Sequence, residues 1–209
     1  MPEAQKNPPE SPARRRADAE RSIARILDAA VDALGSDPDA SMAQIARRAG
    51  VVRATIYVHF PTRDALLDAV TDRTLADVNA VIEAAEPDRG DPTAALARVV
   101  AATWRHLSRY QGIIALNTQR HAHDELRARH APVLAMLEPL IQRGQADGSF
   151  RSDVPPAWHL SMFMALVHAA SEELRAGRLP DTDTQAALVA TVLGAVTAHA
   201  QAAASRAGR

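Results

Sequence analysis

The sequence predicts an all-α chain of about nine helices, a small three-helix head followed by a larger helical body. Three observations predict it. Hydrophobic residues make up 47% of the 209 residues but aromatics only 3%, with Ala, Leu and Val dominant, a palette for packed helices rather than sheets. Apolar residues recur at spacings of three and four in every long segment, and no segment alternates as a strand does. Glycines, prolines and capping pairs punctuate the chain at helix-length intervals, with no internal repeat.

Residues 1–17 hold four of the thirteen prolines and no apolar periodicity, so they are expected to form a disordered arm. Its Arg14-Arg15-Arg16 run is a solubilising tail or a basic arm reaching for a DNA minor groove. A first helix follows from about Ala19 to Leu34, with Ile23, Ile26, Leu27, Ala30, Val31 and Leu34 at helical spacing and Gly35 closing it. Ser41 and Gln44 make a capping box that starts a second helix, on which Ile45 and Ala49 share a face and Ala46 permits close packing. Gly50 ends it, because the left-handed residue after a helix is most cheaply a glycine. A third, short helix carries Ile56 and stops before Pro61.

Ile45, Ala49, Val51 and Ile56 can share one small core. What remains outside is Arg47, Arg48, Arg53, Thr55, Tyr57, His59 and Arg63, the cations and hydroxyls that phosphates and base edges call for.

Thr62 caps a fourth helix, with Asp64 against its positive end, and apolar residues carry it to about Ala85. Asp91-Pro92 starts a fifth that runs to about Tyr110; a sixth covers 112–120 and a seventh 124–146, before Gly148. Pro155 and Pro156 open an eighth that ends near Gly177. Thr182 and Gln185 read as the capping box of a ninth that reaches about Ala203. The eighth is apolar on more than one face and the ninth, AALVATVLGAVTAHA, is apolar and small all round, so each needs cover on two sides. A two-fold copy of the chain is the commonest such cover.

The local sequence is more specific than the spacing. Gln44-Ile45-Ala46, Ala49-Gly50-Val51, Thr55-Ile56-Tyr57-Val58-His59-Phe60 and Arg63-Asp64-Ala65-Leu66-Leu67 resemble the DNA-binding domain of the TetR family of bacterial regulators, over residues 20–70. The resemblance implies a helix-turn-helix DNA-binding domain at 18–64 and an effector-binding and dimerisation domain at 65–209. It further implies a homodimer through the two C-terminal helices, a double-stranded DNA operator and a small-molecule effector. It places Ser41, Arg53, Thr55, Tyr57, His59 and Arg63 at the DNA, with Arg53 as base reader. Two departures stand out: Val52 lies where many members carry a capping serine, and Ala43 where some carry a base-reading arginine.

For a DNA partner the formal net charge of −1 is low, but its distribution is uneven. Between Ala13 and Arg63 nine arginines face six acids, and the remainder is net acidic. The chain has no cysteine, which excludes disulfides, thiolate metal sites and cysteine nucleophiles. The N-terminus has no apolar signal core and no stretch is long enough to span a bilayer, so a soluble cytoplasmic protein is expected, with no membrane partner.

No motif marks the effector pocket that the family implies. Trp104, Leu107, Tyr110, Asn117, Met136, Met162, Phe163 and His168 are candidates by residue type, although Trp, Met and Phe at helical spacing are core residues by default. A rival metal or general-base site around His121, His123 and His130 fits poorly, since His121 and His123 point to different sides of a helix and the run is dense in charge. With no phosphate loop, nucleophile elbow or paired-carboxylate motif, no enzyme activity and no cofactor are expected. An all-helical enzyme is the second reading, and a DNA-independent helical adaptor the third.

Overall fold

The computed structural model describes residues 11–198. They form nine α-helices: α1 (Pro12–Ser36), α2 (Met42–Arg48), α3 (Arg53–His59), α4 (Arg63–Ala84), α5 (Pro92–Leu107), α6 (Gln111–Arg120), α7 (His123–Ala146), α8 (Pro156–Arg175) and α9 (Asp181–Val196). A 3-10 turn at Ser108–Tyr110 joins α5 to α6. No strand occurs among the described residues, although Phe150 and Thr197 form one isolated antiparallel bridge.

Helix α1 starts inside the span expected to be a disordered arm. The Ser11 side chain accepts from the Arg14 amide and Pro12 fills the first turn, a start signal hidden in a proline-rich stretch. Residues 1–10 of that arm lie outside the described residues. The Thr182–Gln185 capping box does not form, because α9 already begins at Asp181 behind Pro180 and the Thr184 hydroxyl bonds back to the Pro180 carbonyl. Helix α9, expected to reach about Ala203, ends at Val196, and Thr197 enters the bridge with Phe150; residues 199–203 of the expected span lie outside the described residues.

The chain divides into two compact units between Val70 and Thr71. This is later than the 64/65 boundary expected from sequence, because Leu66, Leu67 and Val70 of α4 are buried with the first unit. That unit closes over Ile26, Ala30 and Leu34 of α1, Ile45 and Ala46 of α2, and Ile56 of α3. Val51, expected among them, is half-buried.

In the second unit the core joins α4, α5, α7, α8 and α9 through residues such as Ile82, Val99, Leu137, Phe163 and Val192. Trp104 is buried there, and its indole N–H donates to Asp181 at 3.0 Å, tying α5 to the start of α9. Gly144 makes room for Phe150, whose ring fills the space where a Cβ would stand. Helix α7 runs unbroken through Pro132 and Pro139. Both prolines are exposed, as are Ala128 and Ala135, whose carbonyls lose their helical partners to them and can bond water instead.

Candidate functional site

The turn between α2 and α3 fixes how the short third helix is held. Gly50 takes φ +67°, the Val51 amide bonds the Ala46 carbonyl at 3.0 Å, and the Gly50 amide bonds that of Arg47 at 3.2 Å. This pair of bonds is a Schellman closure, which satisfies the last carbonyls of α2 and sets the angle at which α3 leaves. At the other end of α2 the capping box forms as expected, with the Ser41 amide donating to Gln44 at 2.7 Å and the Gln44 amide to Ser41 Oγ at 3.3 Å.

Helix α3 buries Ile56 and leaves Arg53, Ala54, Tyr57 and Val58 exposed, with Thr55 and His59 half-buried beside them. The Arg53 guanidinium lies 5.6 Å from the centre of the Tyr57 ring, close enough for a cation–π contact that steadies both side chains. Arg47 is exposed, whereas Arg48 lies 3.8 Å from Asp32 of α1. The Arg63 guanidinium donates to the carbonyls of Pro38 and Ala40. It therefore pins the loop that presents α2. Ser41 is exposed, but its hydroxyl is engaged by the capping box.

Sequence reasoning passed over Val58, which is 77% exposed on α3. A large apolar side chain left in water on a helix rich in donors is the signal that could have found it. Val52 acts as N-cap with no side-chain hydrogen bond, as the departure at this position implied. Substituting Val52→Ser is therefore expected to stabilise the protein by about 1 kcal/mol in urea unfolding, by capping an α3 amide. An unchanged midpoint would show that the open cap is not a weakness.

The second unit encloses a cavity of about 70 Å³ among α4, α5, α6, α7 and α8. Of the candidate effector residues, Leu107, Asn117, Phe163 and His168 line it. The other four do not. Trp104 and Tyr110 are buried elsewhere, the Tyr110 hydroxyl accepting from Arg109 at 2.7 Å, and Met136 and Met162 pack half-buried against the core. Sequence reasoning missed Thr71, Thr74 and Thr103, whose side chains also line the wall.

The Asn117 amide nitrogen donates to the Thr71 hydroxyl oxygen at 2.8 Å, a buried bond between α6 and α4. The His130 and His168 rings meet edge to face with centroids 5.8 Å apart, and His130 Nδ1 lies 2.7 Å from the Leu126 carbonyl. A surface groove of about 280 Å³ adjoins the cavity, and Ile114 and His168 line both. Nearby, His106 packs 5.2 Å from the Tyr110 ring; burial, aided by Arg109, holds its pKa below the usual histidine value. His121, from the rival metal reading, has Nδ1 2.7 Å from Glu125 Oε1.

A short helix held behind a glycine turn with its donors outward, and a separate helical unit enclosing a cavity, is the construction of a helix-turn-helix regulator. Residues 26–70 match the family model for bacterial regulatory proteins of the tetR family, and residues 92–193 match a tetracyclin repressor-like C-terminal domain. The chain is 30% identical over 178 residues to the HTH-type transcriptional repressor LfrR of Mycolicibacterium smegmatis, covering 85% of this chain and 92% of that one. It is 28% identical over 165 residues to the HTH-type transcriptional regulator NfxB of Pseudomonas aeruginosa, covering 77% and 86%. A crystal structure of LfrR in complex with proflavine superposes with a TM-score of 0.66 at 29% identity, covering 87% of this chain and 99% of that one.

The chain belongs to the TetR family. It is a ligand-responsive, DNA-binding transcriptional regulator and not an enzyme, of a class that acts as dimers on operators. No helix among the described residues is long and apolar enough to cross a membrane.

Proposed function

We propose that the chain is a cytoplasmic repressor that holds a near-palindromic operator as a homodimer and lets go when a small molecule occupies the cavity of its second unit. The observation that carries this reading is the cavity itself, apolar for most of its wall and interrupted by Asn117 and a few threonines and histidines. Sites for small molecules have that composition, an apolar wall with a few placed polar groups. Two of the relatives, LfrR and NicS of Pseudomonas putida, are named repressors, and LfrR has been crystallised with proflavine.

The dimer is assigned to α8 and α9. On α8 the apolar residues Trp158, Ala165 and Ala169 are exposed and Met162 half-buried, along one face. On α9 Leu188, Val192 and Val196 face the core, while Ala187, Ala190 and Gly194 are exposed with no charge among them. Such faces need a partner, and two copies packed about a two-fold axis supply one to each other.

At the DNA, Arg53 reads a base, Thr55, Tyr57 and His59 donate to phosphates, and Val58 lies against a thymine methyl. Ser41 and Arg63 hold the reader in place. Helix α4, 22 residues or about 33 Å long, carries the effector's influence, since its first residues belong to the head and the rest to the second unit. An effector that binds better to one setting of that helix shifts the population toward it.

The test is operator binding by fluorescence anisotropy with Tyr57→Phe. Loss of one phosphate contact per half-site is expected to weaken binding to all sequences alike, by about 3- to 10-fold. Unchanged affinity would remove the open side of α3 from the DNA.

A further inference from the structure

We propose that the cavity takes a neutral, mainly apolar molecule bearing one hydrogen-bond donor, which Asn117 accepts, and that Asn117 passes occupancy to α4 through Thr71. The inference rests on the reading of the cavity as the effector site and adds the chemistry of the effector and the route of its signal.

The wall excludes ions. No Asp, Glu, Lys or Arg is among the described residues that line the cavity, so an ionised ligand would shed its hydration with no permanent counter-charge there to replace it. What the wall does offer is two buried oxygens without a hydrogen-bond partner, Asn117 Oδ1 and Thr103 Oγ1. Both residues are deeply buried, at 8% and 2% exposure, and both line the cavity. Buried polar atoms are almost always paired, so an unpaired acceptor on a residue of an apolar wall marks where a bound donor belongs. His130, held by its contact with the Leu126 carbonyl, and Phe163 add aromatic faces suited to a flat ligand.

The coupling follows from the same amide. Its oxygen is unpaired and shut off from the free space of the cavity, while its nitrogen holds Thr71 Oγ1 at 2.8 Å. The planar amide cannot turn its oxygen toward a ligand without moving its nitrogen, and the bond to Thr71 lengthens or bends as a result. Thr71 is the first residue of the second unit and stands on α4, which begins at Arg63 in the first. Loss of the bond frees α4 from α6 at the point where the helix passes from one unit to the other.

Calorimetry on the full chain with four matched naphthalenes tests the chemistry: 2-naphthol, 2-methoxynaphthalene, 2-naphthoate and the ammonium form of 2-naphthylmethylamine. The alcohol is expected to bind at least about 10-fold more tightly than each of the other three, and Asn117→Leu to abolish its advantage over the ether. Equal or tighter binding of the ether or of either ion, or no binding of the alcohol, would overturn the assigned class.

The coupling is read from operator affinity with and without 2-naphthol. Thr71→Val, close in shape to the native residue but without the bond from the start, is expected to keep naphthol binding yet hold the operator weakly with or without naphthol, and Thr71→Ser to behave as the parent does. A Thr71→Val protein that releases DNA as the parent does would overturn the route. If bound naphthol leaves the parent's operator affinity unchanged, the cavity is not the effector site. If naphthol and its ether release DNA equally, the effector site stands and only the assigned chemistry falls.

Discussion

Replacing Trp158 by glutamate is expected to break the dimer and, with it, operator binding. Trp158 is 61% exposed in the single chain, on the face of α8 that also carries Met162, Ala165 and Ala169. A tryptophan central to an interface contributes about 2–4 kcal/mol, and a two-fold interface contains it twice, so the dissociation constant should rise at least about 1000-fold. A monomer keeps one reader and loses the gain from engaging two half-sites together. Sedimentation equilibrium should show monomers at micromolar concentration, with the operator complex absent and helicity unchanged. Ala165→Glu should do the same. A Trp158→Glu protein that stays dimeric would move the interface away from α8.

Arg53→Ala carries the second large effect. The guanidinium is exposed at the first turn of α3 and steadied over Tyr57. A forked contact to guanine is worth about 1–3 kcal/mol, and each dimer makes it twice, so operator affinity should fall about 30-fold or more. The sequence signature distinguishes this from the Tyr57→Phe change. Selection from randomised operators should lose its preference at one position in each half-site and keep it at the others. A uniform loss across sequences would make Arg53 a phosphate contact instead.

Local signals were legible in the sequence, and contacts between distant parts of the chain were not. The Ser41–Gln44 box, the Gly50 turn, and the Thr62 and Asp91 caps each depend on residues within three or four positions, and each forms. The Thr182–Gln185 box has the same pattern but loses to Pro180, which starts the helix earlier. Ser11-Pro12 is a helix start signal set among prolines that mask it.

The cavity shows the limit more plainly. Residue type alone suggests Trp104, Tyr110, Met136 and Met162 for its wall, yet bulky side chains fill cores as readily as they line pockets. Thr71 and Thr103 carry no pattern on their helices, and the bond from Asn117 to Thr71 spans 46 residues. The carbonyl partners of Arg63, Pro38 and Ala40, lie 25 and 23 residues away, beyond the reach of any local pattern. Charge type is visible in a sequence, but the group that answers the charge is not.

Footprinting of the intact protein on DNA flanking its own coding sequence tests the central claim most directly. A dimer with two equivalent readers predicts one near-palindromic protected stretch, its half-sites about 34–36 Å apart or a multiple of that. Arg53→Ala should weaken both halves together, and Trp158→Glu should erase the footprint. Uniform binding with no protected palindrome would contradict the account.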